Sequence, residues 1–274
     1  MPRYGTEPVI VLDGDPADIA VPAIRQRRRL AHALASFDDE QWANPSRCEG
    51  WSTRDVIVHL DSTNTFWTFA IEAGLRGEPT SFLATFDPVT SPADLVAASA
   101  DLSTAAVLER FAASTVAFTN LLGSLDDHAW CLLAEAPPGH VSVSALTHHA
   151  LWDSWVHERD VLLPLGITPS EEADEVSACL RYGAGLGPAF ALCRGESRTG
   201  VLVVDTTEPD VAAVVEIADR VTVRAGTADA DLRLTGNSVR LLEALSVRRP
   251  FDLDVPADAS WMLSGLVRTF STEP

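Results

Sequence analysis

One face of a predicted helix between residues 142 and 163 carries ionisable side chains where a core-facing helix would have apolar ones. This face includes Leu146, His149, Asp153, His157 and Asp160, which follow one another at intervals of three or four residues. A helix places residues at this spacing on one face. Pro164 ends the segment, because the residue before a proline disfavours helical backbone. A carboxylate on a buried face is costly unless it is compensated, so the fold must supply Asp153 with a partner.

A second motif lies earlier in the chain, within residues 47–60. Ser52 is a favourable N-cap, and Asp55 follows three residues later as the acid of a capping box, so a helix is predicted to begin there. His59 lies two turns into this helix, beside its apolar stripe. One ligand from this helix, with the carboxylate and an imidazole of the later motif, is an arrangement by which helical bundles build a metal site with an open position.

The metal hypothesis competes with a plainer one, in which each inward histidine is a hydrogen-bonded core residue. Trp152 and Trp155 flank Asp153, as expected of a site walled off from water. A buried carboxylate between His59 and His157 is best satisfied by a cation. Three nitrogen and oxygen ligands favour zinc, although such sites also bind nickel, iron or cobalt.

Several neighbouring polar residues have more than one interpretation. His149, one turn before Asp153, could contact a cofactor or substrate, support a ligand, or simply pack in the core. Asp160, one turn past His157, could orient the free ring nitrogen of that histidine or be a solvated acid near the helix end. Cys48 is interpreted as a packing thiol. Other polar side chains are expected at the surface: His148, Glu158, Arg159 and the run Arg27, Arg28 and Arg29.

The periodicity along the chain predicts two parts of different structure. Amphipathic segments over about residues 22–36, 52–71, 91–123 and 142–163 predict a bundle of four long helices. After about residue 165 come short β-like runs near residues 200–205, 214–217, 221–224 and 231–234, with helices near 171–192, 238–245 and 259–270. We therefore expect a two-domain α+β protein, with a helical bundle over residues 1–165 and a small α+β domain over residues 166–274.

Composition narrows the range of functions. The chain has 39 acidic and 20 basic residues and a net charge of −19, so neither nucleic acid nor a membrane surface is expected as a partner. All of the basic residues are arginines, which excludes a Schiff-base lysine and a P-loop. The beginning of the chain has no signal-peptide pattern, and the four cysteines are scattered. We therefore expect a cytoplasmic protein that is a monomer or a weak homodimer.

The stretch Cys48–Ser52 with Asp55 and His59, and the stretch Trp152–Asp160, resemble the two metal motifs of the mycothiol-dependent maleylpyruvate isomerase family. This resemblance implies a DinB-like four-helix bundle followed by a small α+β domain akin to sterol carrier proteins. It covers nearly the whole chain, since the run at residues 231–236 and the helix that leads to Arg248 fit the closing pattern of that domain.

The resemblance also implies a ligand set. By position His59, Asp153 and His157 match the family's metal ligands, although the founding isomerases have glutamate where this chain has Asp153. A divalent metal, with zinc as the first candidate, and a low-molecular-weight thiol such as mycothiol are the implied cofactors. Arg248 and Arg249 are the nearest matches to an active-site arginine of those isomerases. We expect His149 and Arg248 to contact the thiol, with exposed surface arginines as the alternative for the arginine pair.

The chemistry that follows is thiol chemistry. A metal-bound thiol loses its proton, and the thiolate can add to an activated double bond or displace a leaving group. The predicted activity is therefore isomerisation of, or S-transfer to, a small electrophilic substrate. A non-catalytic module that binds metal, lipid or a partner protein remains the alternative, because a fold can be kept when an activity is lost.

Overall fold

The first part of the protein is a helical bundle around an apolar interior. The computed structural model describes residues 1–270. The helices of this part are α1 (Ala20–Leu34), α2 (Asp39–Ala43), α3 (Thr53–Leu75), α4 (Ser91–Ala97), α5 (Thr104–Ser124) and α6 (Val143–Leu162). The long helices α1 and α3 each pack against both α5 and α6, which confirms the predicted bundle.

The start of α3 is fixed by the predicted capping box. The Ser52 side chain accepts a hydrogen bond from the Asp55 backbone N–H, and the Asp55 carboxylate accepts one from the Ser52 backbone N–H at 3.0 Å. These reciprocal bonds satisfy two of the N–H groups that a helix leaves unpaired at its first turn. The sequence therefore sets the register of α3, and with it the direction in which His59 projects.

The prediction of a single long helix over residues 91–123 is wrong. The segment forms two helices, α4 and α5, separated by residues 98–103. Ser103 caps α5 by accepting a hydrogen bond from the Ala106 N–H. The carbonyls of Ser99 and Leu102 accept hydrogen bonds from the Arg54 guanidinium, at 2.6 and 2.8 Å. A tertiary contact thus stabilises a break that helical periodicity alone does not reveal.

The second part of the protein is built on a five-stranded sheet. The strands of the chain are β1 (Ile10–Leu12), β2 (Leu133–Ala136), β3 (Gly139–Ser142), β4 (Gly200–Thr207), β5 (Val211–Ile217), β6 (Val221–Ala225) and β7 (Leu232–Asn237). The sheet order is β1-β6-β5-β4-β7, in which β5 is antiparallel to both β4 and β6, and β7 is parallel to β4. The four predicted strands are therefore present, and the helical part with a strand-rich second part confirms the α+β fold class.

Two β-elements were not predicted from the sequence. Strand β1, near the beginning of the chain, pairs in parallel with β6, with Ile10 opposite Val221. Strands β2 and β3 form an antiparallel hairpin immediately before α6. All three strands have only three or four residues, too few to show a clear alternation. The sheet thus includes residues from both sides of the predicted division at residue 165.

One helix connects the bundle to the sheet. Helix α7 (Ala173–Cys193) contacts α6 on one side and α8 (Ser238–Leu245), α9 (Trp261–Phe270) and the sheet on the other. It passes α9 closely, because a Cβ atom added at Gly265 would lie 2.0 Å from the Gly187 carbonyl oxygen. None of the helices within residues 1–270 combines the length and the apolar character needed to cross a membrane.

Candidate metal centre

Three predicted ligands from two helices meet at one point of the bundle. The Oδ1 atom of Asp153 lies 3.8 Å from His59 Nε2 and 3.6 Å from His157 Nε2. The two imidazole rings are 5.0 Å apart between centroids and nearly perpendicular. Ligands at about 2.0–2.2 Å from a zinc ion in tetrahedral geometry are separated by roughly 3.4 Å. The spacing of these three side chains therefore suits a small divalent cation.

The carboxylate of Asp153 has an oxygen with no partner. Its Oδ2 atom is buried and accepts no hydrogen bond within the described chain. Burial opposes ionisation, but the close approach of His59 and the charges of the two imidazoles hold the pKa of Asp153 well below its usual value. An ionised, buried carboxylate with an unsatisfied oxygen is costly. Two imidazoles and this carboxylate thus form a donor set that fits a divalent metal, with coordination positions left for other ligands.

The second ring nitrogen of His157 is held by Asp160. Nδ1 lies 3.0 Å from Asp160 Oδ2, and this carboxylate is completely buried. Burial lowers the pKa of His157, but the bonds to Asp160 and Cys48 prevail and raise it to about 10. The bond directs Nε2 toward Asp153, as outer partners of ligating histidines usually do. A metal must displace a proton from this ring, so its binding releases protons.

Arg248 completes this arrangement from the second part of the chain. Its Nε donates to Asp160 Oδ1 at 2.9 Å, and its Nη2 donates to Asp160 Oδ2 at 2.8 Å. Its Nη1 donates to the Ser246 carbonyl at 3.3 Å. A bidentate guanidinium–carboxylate pair is strong and directional. Arg248 therefore acts on His157 through Asp160, and its three guanidinium nitrogens are already engaged.

Cys48 belongs to the site, whereas the sequence suggested only a packing role. Its Sγ donates to Asp160 Oδ2 at 3.2 Å and lies 3.6 Å from both His157 Nδ1 and Arg248 Nη2. Cys48, His157 and Asp160 form a second group whose ligand atoms are close enough to hold a metal. Both oxygens of Asp160 are already bonded to Arg248, however, while Asp153 has a free oxygen. The group of His59, Asp153 and His157 is therefore the stronger candidate.

A family model described as the mycothiol maleylpyruvate isomerase N-terminal domain matches residues 24–162, just over half of the chain. This chain belongs to that family. The matched segment includes His59, Asp153 and His157, and the match confirms the resemblance inferred from the two motifs. No curated protein sequence matches the chain.

Two solved structures share the fold of this chain over most of its length. The first is the mycothiol-dependent maleylpyruvate isomerase, with a TM-score of 0.62 and 15% identity over 89% of this chain and 93% of that one. The second is a histidine-to-alanine mutant of that enzyme, with a TM-score of 0.61 and 14% identity over 85% and 90% of the two chains. The second part of this chain is therefore part of the family's architecture.

In this protein, His149 lies among aromatic side chains, one helical turn before Asp153. Its Nδ1 is 3.0 Å from the Tyr182 hydroxyl, and its ring is 5.2 Å from Trp67 and 5.4 Å from Trp152 between centroids. Burial lowers the pKa of His149 to about 4, so the imidazole is neutral at physiological pH. These contacts are those of a packed core residue, the plainest of the interpretations that the sequence left open.

The structure separates the two predicted arginines. Arg248 reaches the candidate centre, whereas Arg249 Nη2 donates to the carboxylate of Asp252 at 3.1 Å, on the same surface loop. Asp252 is in turn held by Arg240 at 2.8 Å. The sequence could not distinguish these neighbours, because the direction of each side chain depends on the turn that follows α8.

Several charges that were expected at the surface are buried. Glu158, Arg159 and Arg27 are 1%, 8% and 1% exposed. Arg29 donates to the carboxylates of both Glu158 and Glu175, which joins α1 to α6 and α7. Arg28 alone in its run is exposed, and His148 is half-buried. The two carboxylates that Arg29 contacts lie 129 and 146 residues away from it in sequence, so no local spacing indicated them.

Proposed function

We propose that the protein is a metal-dependent enzyme that uses a low-molecular-weight thiol, mycothiol, to transform a small electrophilic substrate. The observation that carries the proposal is the unpartnered Oδ2 atom of Asp153, on a carboxylate set between two imidazole Nε2 atoms. The names of the family and of the two related structures supply the thiol and the class of reaction.

In this proposal His59, Asp153 and His157 hold the ion, with zinc as the first candidate. A divalent cation at this position would favour the thiolate form of a bound thiol at neutral pH. The protein's own contribution is geometric. Asp160 keeps His157 Nε2 directed at the ion, and Arg248 keeps Asp160 in place as a positioning residue.

The surroundings of the centre limit the access of water. The side chains of His59, Asp153 and His157 are 16%, 13% and 11% exposed, and the Trp51 ring covers His59 at 5.5 Å between centroids. In such a site a thiolate is poorly solvated and nucleophilic. It can add to an activated double bond, permit rotation and be eliminated again, which is isomerisation. It can also displace a leaving group, which is S-transfer.

The alternative of an apolar-ligand module is less well supported. A cavity in the second part of the chain has a volume of about 520 Å³, and its lining includes the charged side chains of Arg198, Asp231 and Asp258. A lipid-binding cavity is lined mostly by apolar side chains. The residues of the candidate metal centre therefore favour an enzyme over a lipid carrier.

The test is calorimetry of mycothiol with zinc-loaded and metal-free protein. We expect binding to the loaded protein only, with an affinity that rises with pH because thiolate binding releases a proton. His157→Ala should remove both metal and thiol binding while the circular dichroism of the helices is retained. Equal affinity for the thiol with and without metal, or no affinity in either form, contradicts the proposal.

A further inference from the structure

Helix α8 ends in a turn whose backbone is strained. Val247 lies one residue beyond the C-cap Ser246 and has a φ angle of +59°, in the left-handed region. Its N–H donates to the Ala244 carbonyl at 3.1 Å, and the N–H of Arg248 donates to the Glu243 carbonyl at 2.8 Å. This pair of bonds is a Schellman motif, which usually has glycine at the left-handed position. A β-branched residue is strained there, because its Cβ atom crowds the following carbonyl oxygen.

Contacts with the bundle hold the turn on both sides of Val247. Before it, the Ser246 hydroxyl accepts a hydrogen bond from Trp152 Nε1 at 2.9 Å. After it, the Arg248 guanidinium makes its bidentate pair with Asp160. The Val247 side chain itself is 48% exposed, so its own packing does not account for the conformation. Strain of this kind persists only where surrounding contacts impose it, and here those contacts lead to Asp160.

The same motif places a second charged side chain at the contact between the two parts of the protein. The Glu243 carboxylate accepts hydrogen bonds from Arg47 Nη1 at 2.8 Å and from Arg159 Nε at 3.1 Å. Arg47 also donates to the Arg248 carbonyl at 3.3 Å. In most Schellman motifs the residues at the positions of Glu243 and Arg248 accompany an apolar contact. Here both are paired with charges of the first part of the chain, so the motif aligns two ion pairs across the contact.

The strain makes this turn easier to open than an unstrained one. If Val247 moved to a negative φ, both bonds of the motif would break and Arg248 would be directed away from Asp160. The strain of Val247 would be relieved at the same time, which offsets part of the loss of the ion pair. A turn that outside contacts hold against its own preference is a two-state element, closed while Asp160 holds Arg248 and open when the pair separates.

We propose that the turn at residues 246–248 is a latch, in which Val247 positions Arg248 and couples the metal centre to the end of α8. The coupling runs from the candidate ligand His157 through Asp160 to Arg248. Binding of a divalent cation at His157 closes the latch, and by reciprocity a closed latch strengthens the binding of the cation. The metal-dependent half of this coupling rests on the proposed function, whereas the strained turn does not.

Hydrogen exchange of the Arg248 amide, followed by NMR, measures the opening, because that N–H is bonded to Glu243 in the closed turn. On metal-free protein we expect Val247→Gly to raise the protection factor about fivefold, since glycine adopts left-handed backbone without strain. Val247→Ile keeps a branched Cβ on a half-exposed side chain and should leave the protection factor unchanged. Asp160→Asn should lower it, because a contact that imposes the strain is weakened.

Addition of zinc tests the coupling. Zinc should raise the protection factor of the amide at residue 248 in the wild type. It should have no effect there in Arg248→Met, which lacks the guanidinium and so the link to Asp160. Glu208→Gly is the matched control, because it replaces another left-handed non-glycine residue, in the turn between β4 and β5. This variant should leave the protection factor of the Arg248 amide unchanged with and without zinc.

Three outcomes would overturn the latch. The first is an equal protection factor in Val247→Gly and the wild type, since no strain would then be stored in the turn. The second is an equal response to zinc in the wild type and Arg248→Met, and the third is no response in a wild type that binds zinc. A protein that binds no zinc contradicts the proposed function instead. The metal-free comparison with Asp160→Asn then decides by itself whether the bundle holds the turn closed.

Discussion

Asp160 and Arg248, which are 88 residues apart in the chain, form a bidentate ion pair next to the Nδ1 atom of His157. The pair lies at the contact between the helical bundle and the segment after α8. The carboxylate is fully buried, while the arginine side chain is 25% exposed. The second part of the protein therefore takes part in orienting His157, a candidate metal ligand that belongs to the first part.

We predict that Asp160→Asn weakens zinc binding by about 10- to 100-fold, the usual effect of removing the outer partner of a ligating histidine. The amide retains the shape but cannot supply the negative charge that supports the N–H of His157. Competition with a chromogenic chelator measures the affinity. Arg248→Met should have a smaller effect of the same sign.

The matched control for Arg248 is its neighbour. Arg249→Met removes a surface contact with Asp252 and should leave zinc affinity unchanged. A loss of affinity in Arg249→Met that equals the loss in Arg248→Met would contradict the role given to Arg248.

Removal of the metal should lower the thermal stability of the wild type. A ligand that binds only the native state stabilises it by RT ln(1 + [L]/Kd), which is about 4 kcal/mol at a thousandfold excess over Kd. We expect a chelator to lower the melting temperature of the wild type and to leave that of Asp153→Asn unchanged. Differential scanning calorimetry measures both, and a chelator-insensitive wild type would refute the metal assignment.

The neutral, buried His149 predicts a loss of stability in acid. Its pKa is about 4 in the folded protein and 6.5 in the unfolded chain. Above pH 6.5 neither state is protonated, so the residue has no effect on the pH dependence there. As pH falls from 6.5 to 4, only the unfolded state gains the proton, and up to about 3 kcal/mol of stability is lost.

Urea unfolding between pH 7 and pH 4 tests this sign. The free energy of unfolding should fall less steeply for His149→Phe than for the wild type over that interval. Parallel curves would show that His149 is not the group responsible. The comparison is made on metal-free protein, so that proton release at the metal does not contribute.

The close contact between α7 and α9 predicts that Gly265→Ala is destabilising. The added Cβ would lie 2.0 Å from the Gly187 carbonyl oxygen and 2.7 Å from the Ala191 nitrogen, so the helices must separate. Overpacking of this kind costs about 1–3 kcal/mol. Gly123→Ala on α5, where a Cβ atom meets nothing within 4 Å, should be neutral or slightly stabilising. Chemical denaturation of the two variants measures the difference.

The sequence by itself determined the features that depend on residues close together in the chain, namely helix starts and helix faces. The capping box of Ser52 and Asp55 set the start of α3, and the spacing of Asp153 and His157 put both on one face of α6. The position of His59 on a second helix then made a metal centre a reasonable expectation. These features follow from helical geometry, which repeats every few residues and is legible in the sequence.

Only the tertiary structure decided which side chains complete the site. Arg248 rather than Arg249 reaches Asp160, a choice that the sequence left open. Cys48 lies against His157 and Arg27 is turned into the bundle, although the sequence suggested a packing thiol and a surface arginine. Their partners are far away in sequence, and the side chains are directed by how helices and loops pack. Charge and spacing identify residues that can ligate or pair, but burial, which makes an unpaired charge costly, exists only in the folded protein.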